Sequence, residues 1–185
     1  MKIDEIVVSF VDEIARGVVE IYNEFSLQHE LGIRFREYLP DQKVQFERNV
    51  SFFEFDKAAF VKREIDIVVY DDLARNPEVA IELKYPKNGQ HPEQMFSFCK
   101  DIAFAEQLKT AGFQDAYVLI FADDRLFYEG REQGIYSYFR GGKALTGPIR
   151  KPTGRQDQVL YLRGEYAITW LPVMGTLKYS LIKAQ

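Results

Sequence analysis

Two short runs rich in β-branched residues, 64–70 and 79–85, constrain the fold of this chain more than any other feature. The segment between them contains Asp71 and Pro77, which are residue types that favour turns. The two runs therefore predict a β-hairpin with Ala74 at the centre of its connection. Such a hairpin determines which side chains face each other, because strand side chains alternate between the two faces.

The predicted pairing places Tyr70 opposite Glu78 and Asp66 opposite Glu82. One face of the hairpin then carries Asp66, Glu82 and Lys84 together with two apolar residues. The other face is expected to be pure core, and its residues are Ile65, Ile67, Val69, Val79, Ile81 and Leu83. The sequence thus predicts that three charged side chains share one face of a strand pair.

The spacing of apolar residues along the rest of the chain predicts an α/β domain. Residues 3–25 and 26–39 each place apolar side chains near a helical period, with Ser26 as the N-cap of the second helix and Pro40 ending it. The later elements are expected at residues 43–55, 60–70, 78–85, 92–111 and 116–121. The predicted order is α-α-β-β-β-α-β, in a mixed central β-sheet flanked by helices.

The length of 185 residues predicts a single domain, with a core over about 26–121 and a C-terminal extension over 125–185. The secondary-structure signals in the extension are weaker. They favour a short helix near Arg125 and strands around 159–162, 166–171 and 177–182. We expect the extension to form a lid or to extend the sheet.

Composition and charge narrow the classes of function. The single cysteine, Cys99, excludes an internal disulfide, and no apolar run is long enough to cross a bilayer. Because the start of the chain does not resemble a signal peptide, we expect a cytoplasmic location and no membrane partner. The net charge is −4, yet residues 125–163 contain eight cations against three acids. This segment is the candidate for contact with a polyanion.

The facing carboxylates of Asp66 and Glu82 are the main chemical signal. Like charges directly opposite on antiparallel strands repel, so this pairing costs stability unless positive charge lies between them. Mg²⁺ prefers oxygen ligands and is commonly held by one or two carboxylates, while substrate phosphates fill other positions. Lys84 is placed to orient or deprotonate an attacking water and to offset charge on phosphorus. An ion pair between Asp66 and Lys84, without any metal, is the open alternative.

Other kinds of catalytic site find little support. Lys143 follows two glycines, but the complete phosphate-loop pattern is missing and Ala144 supplies no hydroxyl for Mg²⁺. His29 and His91 lack the spacing of metal ligands, and Cys99 has the character of a small core residue. No Gly-x-Ser-x-Gly segment indicates a serine hydrolase. The sequence therefore argues against an ATPase and against that hydrolase class.

The charged residues of the hairpin resemble the motif of the PD-(D/E)XK nuclease superfamily, whose members have the restriction-endonuclease-like fold. Asp66 and residues 82–84 (Glu-Leu-Lys) match this motif, with Ile65 where the family name has proline. The resemblance covers roughly residues 26–121. It implies hydrolysis of a phosphodiester by an activated water, which leaves a 5′-phosphate.

The resemblance also implies roles for residues outside the hairpin motif. Members often carry a glutamate on an upstream helix that completes the metal shell, a role that falls to Glu30, and the backbone carbonyl of Leu83 is a further implied ligand. For Glu30, a solvated helix residue is the alternative reading. Some members place a glutamine and a tyrosine on the helix after the third strand, which Gln94 and Phe98 match loosely.

We therefore expect a Mg²⁺- or Mn²⁺-dependent deoxyribonuclease. The expected catalytic residues are Asp66, Glu82, Lys84 and Glu30, and the expected metal ligands are Asp66, Glu82, Leu83 and Glu30. The expected substrate-binding residues are Gln94, Arg140 and Lys143. RNA as the substrate and association into a homodimer stay open. The rival hypothesis is a catalytically inactive module of the same fold that binds nucleic acid or a protein partner, since an acidic chain attracts DNA weakly.

Overall fold

The computed structural model describes residues 2–73, 75–154 and 158–185. Its α-helices are α1 (Ile3–Ala15), α2 (Glu24–Tyr38), α3 (His91–Ala111) and α4 (Tyr136–Phe139). Its β-strands are β1 (Lys43–Asn49), β2 (Glu64–Tyr70), β3 (Pro77–Lys84), β4 (Asp115–Ala122), β5 (Leu145–Arg150), β6 (Val159–Tyr166), β7 (Leu171–Met174) and β8 (Leu177–Lys183). Within the described ranges, no helix combines the length and apolar character needed to cross a membrane.

Six of the strands form one mixed sheet in the order β1-β2-β3-β4-β8-β7, and β5 pairs with β6 in a separate hairpin. Strands β1, β2 and β3 form an antiparallel meander, whereas β3 and β4 run parallel because α3 connects them as a crossover. Strand β8 pairs antiparallel with both β4 and β7. The expected α/β class, the mixed sheet flanked by helices and the order α-α-β-β-β-α-β are confirmed.

Helices cover both faces of the six-stranded sheet. On one face, apolar residues of α1 and α2 pack with Ile67, Ile81 and Leu83. On the other face, α3 packs with Val68 and Ala80, which are fully buried. The face of the β2–β3 pair that carries the charged side chains is therefore covered by a helix, so its carboxylates lie beside an apolar core.

The register of the β2–β3 pair agrees with the prediction over most of its length. Ile67 lies opposite Ile81, as expected. A bulge next to Tyr70 places this residue opposite Pro77 rather than Glu78, because one strand has an extra residue there. This difference is confined to the turn end of the hairpin. At the other end the paired residues stop at Ile67 and Ile81, one position before Asp66 and Glu82.

Two further details of the hairpin concern its ends. Ala74, the expected centre of the connection, lies outside the described residues. Ile65 packs in the core under α3, although it was expected to share the face of Ile67. Strict alternation therefore does not describe the first residues of β2.

The first two helices differ from the prediction at their ends. α1 ends at Ala15 rather than running on toward α2, because Gly17 adopts a left-handed φ of 71° and turns the chain. α2 begins at Glu24, and its N-cap is Asn23 rather than Ser26. The Ser26 amide donates to the Asn23 side chain at 2.8 Å and the Ser26 hydroxyl accepts from the Asn23 amide at 3.0 Å. This reciprocal capping places Ser26 inside the first turn.

The aromatic-rich segment after β1 is partly helical rather than extended. Two short 3-10 turns occupy Val50–Phe53 and Lys57–Ala59. The side chains of Asn49 and Asp56 begin these turns by accepting hydrogen bonds from backbone amides. The strands expected on either side of this segment are therefore shorter than predicted.

Residues 125–185 contribute to both sheets. Strands β7 and β8 extend the six-stranded sheet, which was one of the two expectations, and a 3-10 turn at Arg125–Phe127 agrees with the short helix expected there. The strand expected at 166–171 is instead the end of β6 and the start of β7. Strand β5 was not predicted, because Gly147 and Pro148 are poor strand formers.

A buried carboxylate joins the β5–β6 hairpin to α3. Glu106 of α3 accepts hydrogen bonds from the amides of Arg163 and Gly164 at 3.0 and 2.7 Å, and from the Tyr166 hydroxyl at 2.8 Å. The inner face of the hairpin, which includes Leu160, packs in the same core as α3. Because a buried charge requires such partners, Glu106 holds the hairpin on the helix.

We expect Glu106→Ala to lower the free energy of unfolding by at least about 3 kcal/mol, because the buried Tyr166 hydroxyl and two partly buried backbone amides lose their acceptor. Chemical denaturation followed by circular dichroism measures this difference. Glu165→Ala removes an exposed glutamate from the same strand and should change stability by less than about 0.5 kcal/mol. Equal effects of the two changes would contradict the role assigned to Glu106.

Candidate functional site

The structure brings Asp66 of β2 and Glu82 of β3 together, as the register of the hairpin predicted. The Asp66 amide lies 3.4 Å from Oε1 of Glu82. The Leu83 amide donates a hydrogen bond to Oδ2 of Asp66 at 2.7 Å. Each carboxylate therefore reaches the backbone of the opposite strand, so the two acids lie side by side on neighbouring strands.

Glu82 is completely buried, and a lysine outside the predicted motif neutralises it. Nζ of Lys62 contacts Oε2 of Glu82 and also donates to Oδ1 of Asp101 at 2.9 Å. Lys62 lies just before β2, and Asp101 lies on the buried side of α3. An ammonium group therefore lies between the carboxylates of Glu82 and Asp101.

Sequence reasoning missed both Lys62 and Asp101. The signal for Asp101 was available, since it lies between Phe98 and Ile102 on the apolar stripe of α3 and is almost fully buried. An acidic residue in such a stripe needs a partner of opposite charge. For Lys62 no comparable signal exists, because it lies in an irregular segment whose path only the folded chain determines.

Lys84 contacts carboxylates other than the one expected. Its Nζ lies 3.3 Å from Oε1 of Glu24 and 3.6 Å from Oδ2 of Asp101, and it donates to the Leu83 carbonyl at 2.8 Å. Among the described residues it forms no ion pair with Asp66, so the simple pair between Asp66 and Lys84 is not what the structure contains. Oδ2 of Asp101 is buried without a hydrogen bond in the described part of the chain.

The glutamate that α2 brings to this cluster is Glu24, whereas Glu30 was the one expected. Glu24 accepts a hydrogen bond from the Tyr85 amide at 3.2 Å. Gln28, one turn further along, donates to the Asp66 carbonyl at 2.9 Å. Glu30 lies on a different side of the helix, and its carboxylate is 3.4 Å from the ring of His29. The helical period separates the two glutamates, because six residues do not make whole turns.

A small cleft of about 50 Å³ opens beside Asp66. Its lining consists of Glu24, Phe25, Gln28, Glu47, Asp66 and Leu83. Glu47 has a left-handed φ of 48°, which is uncommon for a residue with a side chain and costs free energy. The Gln28 amide donates to the Glu47 carboxylate at 2.7 Å. The polar groups around the cleft are therefore mainly oxygen acceptors.

Burial makes the two strand carboxylates hard to ionise. Burial raises the pKa of Asp66 to about 6, although Lys62 and Lys84 oppose this change. Burial and the Asp66 carboxylate raise the pKa of Glu82 well above its usual range. Burial alone would lower the pKa of each lysine, but the surrounding carboxylates outweigh it and raise the pKa of both Lys62 and Lys84. Both lysines therefore stay charged near neutral pH.

The donor set suits a hard divalent cation in its chemistry. The carboxylates of Asp66, Glu24 and Glu47 and the carbonyl of Leu83 offer the oxygen ligands that Mg²⁺ and Mn²⁺ prefer. Within the described ranges, however, no three His, Cys, Asp or Glu side chains stand in a ready metal-binding arrangement. Glu82 would have to exchange its contact with Lys62 for the metal. The residues thus fit a divalent cation once the Glu82 side chain moves away from Lys62.

The three expected substrate-binding residues do not line this cleft. The Gln94 amide donates to Asn88 at 2.7 Å. Arg140 donates to two backbone carbonyls and stacks on the Tyr136 ring at 3.8 Å, so its guanidinium is used inside the fold. Lys143 is exposed, with its ammonium 4.8 Å from the centre of the Tyr138 ring. Of the two charged residues among them, Lys143 is the one whose charge faces solvent.

No protein-family model, curated protein or solved structure matches this chain. The contacts described above therefore carry the functional assignment. They assemble four carboxylates, those of Glu24, Asp66, Glu82 and Asp101, with two ammonium groups at the end of β3. The cluster has an excess of negative charge when all its members are ionised, which a divalent cation is suited to offset.

We expect Asp66→Asn to stabilise the metal-free protein at about pH 8 by up to about 3 kcal/mol and to have little effect below about pH 4. The pKa of Asp66 is higher in the folded chain, about 6, than its ordinary value of 3.8. As pH rises, the unfolded chain loses this proton at a lower pH than the folded chain does. The stability of the unchanged protein therefore falls as pH rises between 3.8 and about 6. Denaturation across pH measures the change.

Asp41→Asn is the matched control for this experiment, because Asp41 is exposed and its replacement should give no such pH dependence. If Asp66→Asn destabilised the protein by the same amount at both ends of the pH range, the burial argument for Asp66 would be wrong.

Proposed function

We propose that the protein is a nuclease that hydrolyses phosphodiester bonds, preferably of DNA, with Mg²⁺ or Mn²⁺, and that its fold is restriction-endonuclease-like. The mixed sheet, with an antiparallel meander followed by a crossover helix and a parallel strand, supports this fold. The observation that carries the proposal is the side-by-side position of Asp66 and Glu82 next to Lys84 at the end of β3. This grouping matches the resemblance to the PD-(D/E)XK superfamily.

In this proposal the metal ligands are the carboxylates of Asp66 and Glu82 and the backbone carbonyl of Leu83. Glu24 takes the role first expected of Glu30, because Glu24 borders the same cleft as Asp66. A bound divalent cation supplies charge stabilisation for the phosphate and lowers the pKa of water. The chain's own contribution is to hold these oxygens on two strands and one helix, which are rigid elements.

Lys84 acts as a cation in this proposal. Carboxylates of Asp101 and Glu24 keep the pKa of Lys84 raised despite its burial, so its ammonium is a poor base near neutral pH. Three roles were expected of Lys84. Orientation of the attacking water and compensation of charge on phosphorus are therefore favoured over deprotonation of the water. Asp101 is a positioning residue, because it contacts both Lys62 and Lys84 from α3.

We expect Asp66→Asn and Lys84→Gln each to lower the rate of DNA cleavage by at least about 100-fold, because one removes a metal ligand and the other a charge beside the phosphate. Glu24→Gln should lower the rate by about 10-fold or more. Nicking of plasmid and degradation of single-stranded DNA, with Mg²⁺ or Mn²⁺, measure these rates.

Two matched controls accompany these changes. Lys87→Gln removes an exposed lysine close to Lys84, and Glu30→Gln removes a glutamate from the same helix as Glu24. Both should retain cleavage. Activity that survives Asp66→Asn and Lys84→Gln would contradict the site, and loss with Glu30→Gln but not with Glu24→Gln would restore the assignment made from sequence.

The second candidate function is a catalytically inactive module of the same fold that binds nucleic acid or a protein partner. The contact of Lys62 with both Glu82 and Asp101 favours it, because this ammonium already compensates the buried charge without a metal. Metal binding separates the two functions. A nuclease must release Glu82 from Lys62, whereas a binding module need not.

We expect calorimetric titration with Mn²⁺ to show binding that Glu82→Gln abolishes. Lys62→Gln should bind Mn²⁺ at least about 10-fold more tightly, because the competing ammonium is gone. Lys57→Gln, an exposed lysine before the same strand, serves as the control and should bind like the unchanged protein. Absence of Mn²⁺ binding in both the unchanged protein and Lys62→Gln would favour the inactive module.

A further inference from the structure

The β5–β6 hairpin has one buried face and one exposed face. Its buried face packs on α3, and its exposed face carries Pro148, Arg150, Val159, Tyr161 and Arg163. We call these five residues the outer hairpin face. Pro148 pairs with Tyr161 and Arg150 pairs with Val159, so these side chains stand next to one another across the two strands.

The side chain of Tyr161 is unusual for its exposure. It is 69% exposed, although tyrosine usually buries most of its ring. Arg163 follows two residues later on the same face of β6. Glu165, near the end of β6, is the acidic residue that comes next in this exposed series. The exposed face of the hairpin therefore presents an aromatic ring together with two arginines.

A groove of about 500 Å³ continues this surface at its edge. Lys143, Arg150 and Lys151 line the groove, and no carboxylate lies among its described lining residues. Lys151 is 3.7 Å from Glu93, a loose ion pair. In a chain of net charge −4, this concentration of cations is suited to a polyanionic partner.

We propose that the outer hairpin face and the adjoining groove bind single-stranded nucleic acid. Tyr161 stacks on an unpaired base, and Arg150, Lys151 and Lys143 contact backbone phosphates. Every base has a face that an aromatic ring can cover, but in a duplex these faces are covered by neighbouring bases. The inference rests on the proposed function only in taking nucleic acid as the partner, and it requires neither metal nor hydrolysis.

The hairpin is joined firmly to the helix that also serves the candidate site. Glu106 holds one end of the hairpin on α3, and Lys151 reaches Glu93 in the first turn of the same helix. Asp101, between these two positions, contacts both lysines of the site. A nucleic-acid strand bound to the hairpin would therefore be held on α3, the same helix that positions the cluster of carboxylates and lysines.

Fluorescence anisotropy with labelled single-stranded DNA, in EDTA and with the full chain, tests the stacking contact. Tyr161→Thr, which keeps a residue suited to a strand, should weaken binding by about 5- to 100-fold, and Tyr161→Phe should retain it. Tyr22→Thr is the matched control, because Tyr22 is 66% exposed elsewhere on the surface. It should bind like the unchanged protein.

The dependence of binding on salt tests the phosphate contacts. Arg150→Gln combined with Lys151→Gln should reduce the slope of log affinity against log salt concentration by about 1.4, since each phosphate contact on a single strand contributes about 0.7. Lys43→Gln combined with Lys57→Gln removes two exposed lysines from another region and should leave the slope unchanged.

Three outcomes would overturn the inference: binding that Tyr161→Thr leaves intact, duplex DNA bound as tightly as single strands, or polyglutamate bound as tightly as either. Failure of the proposed function is seen separately. Tyr161-dependent binding in EDTA without cleavage in Mg²⁺ or Mn²⁺ refutes the nuclease and supports the hairpin. Cleavage that depends on Asp66 but binding indifferent to Tyr161 supports the nuclease and refutes the hairpin.

Discussion

The burial of the Glu82 carboxylate is the constraint on which the rest of the site depends. A charge in the interior must be compensated or protonated, and β3 places this side chain at the centre of the sheet under α3. Lys62 comes from the segment before β2, and Asp101 from α3 then shares that lysine. Three parts of the chain that are distant in sequence are thereby held around one side chain.

Helix α3 connects this cluster to the outer hairpin face. Its Asp101 faces the six-stranded sheet, and its Glu106 accepts hydrogen bonds from β6. The two buried acids differ in how they are satisfied. Glu106 is matched by neutral donors and has a structural role. Asp101 is matched by lysines, and among the described residues its Oδ2 accepts no hydrogen bond. Buried polar groups that lack a hydrogen bond are rare in folded proteins, and functional sites are among the places where they occur.

The central hairpin could be predicted because its determinants are local. Alternation of apolar and charged residues specified its faces, and the two runs specified its register as far as the bulge beside Tyr70. Glu30 was expected at the cluster, where the structure places Glu24, for an equally local reason. Placing the N-cap at Ser26 instead of Asn23 left Glu24 outside the helix, so the one glutamate that the helical period directs to the cluster was not considered.

The sequence by itself therefore determined the order of elements, the mixed sheet and the approach of Asp66 to Glu82, because these follow from periodicity and pairing along neighbouring strands. Only the tertiary structure decided that Lys62 and Asp101 complete the cluster, that Glu24 borders the cleft, and that a β5–β6 hairpin covers α3. Those contacts join segments far apart in the chain, and they form because a buried charge takes whichever partner the packed helices and loops bring within reach.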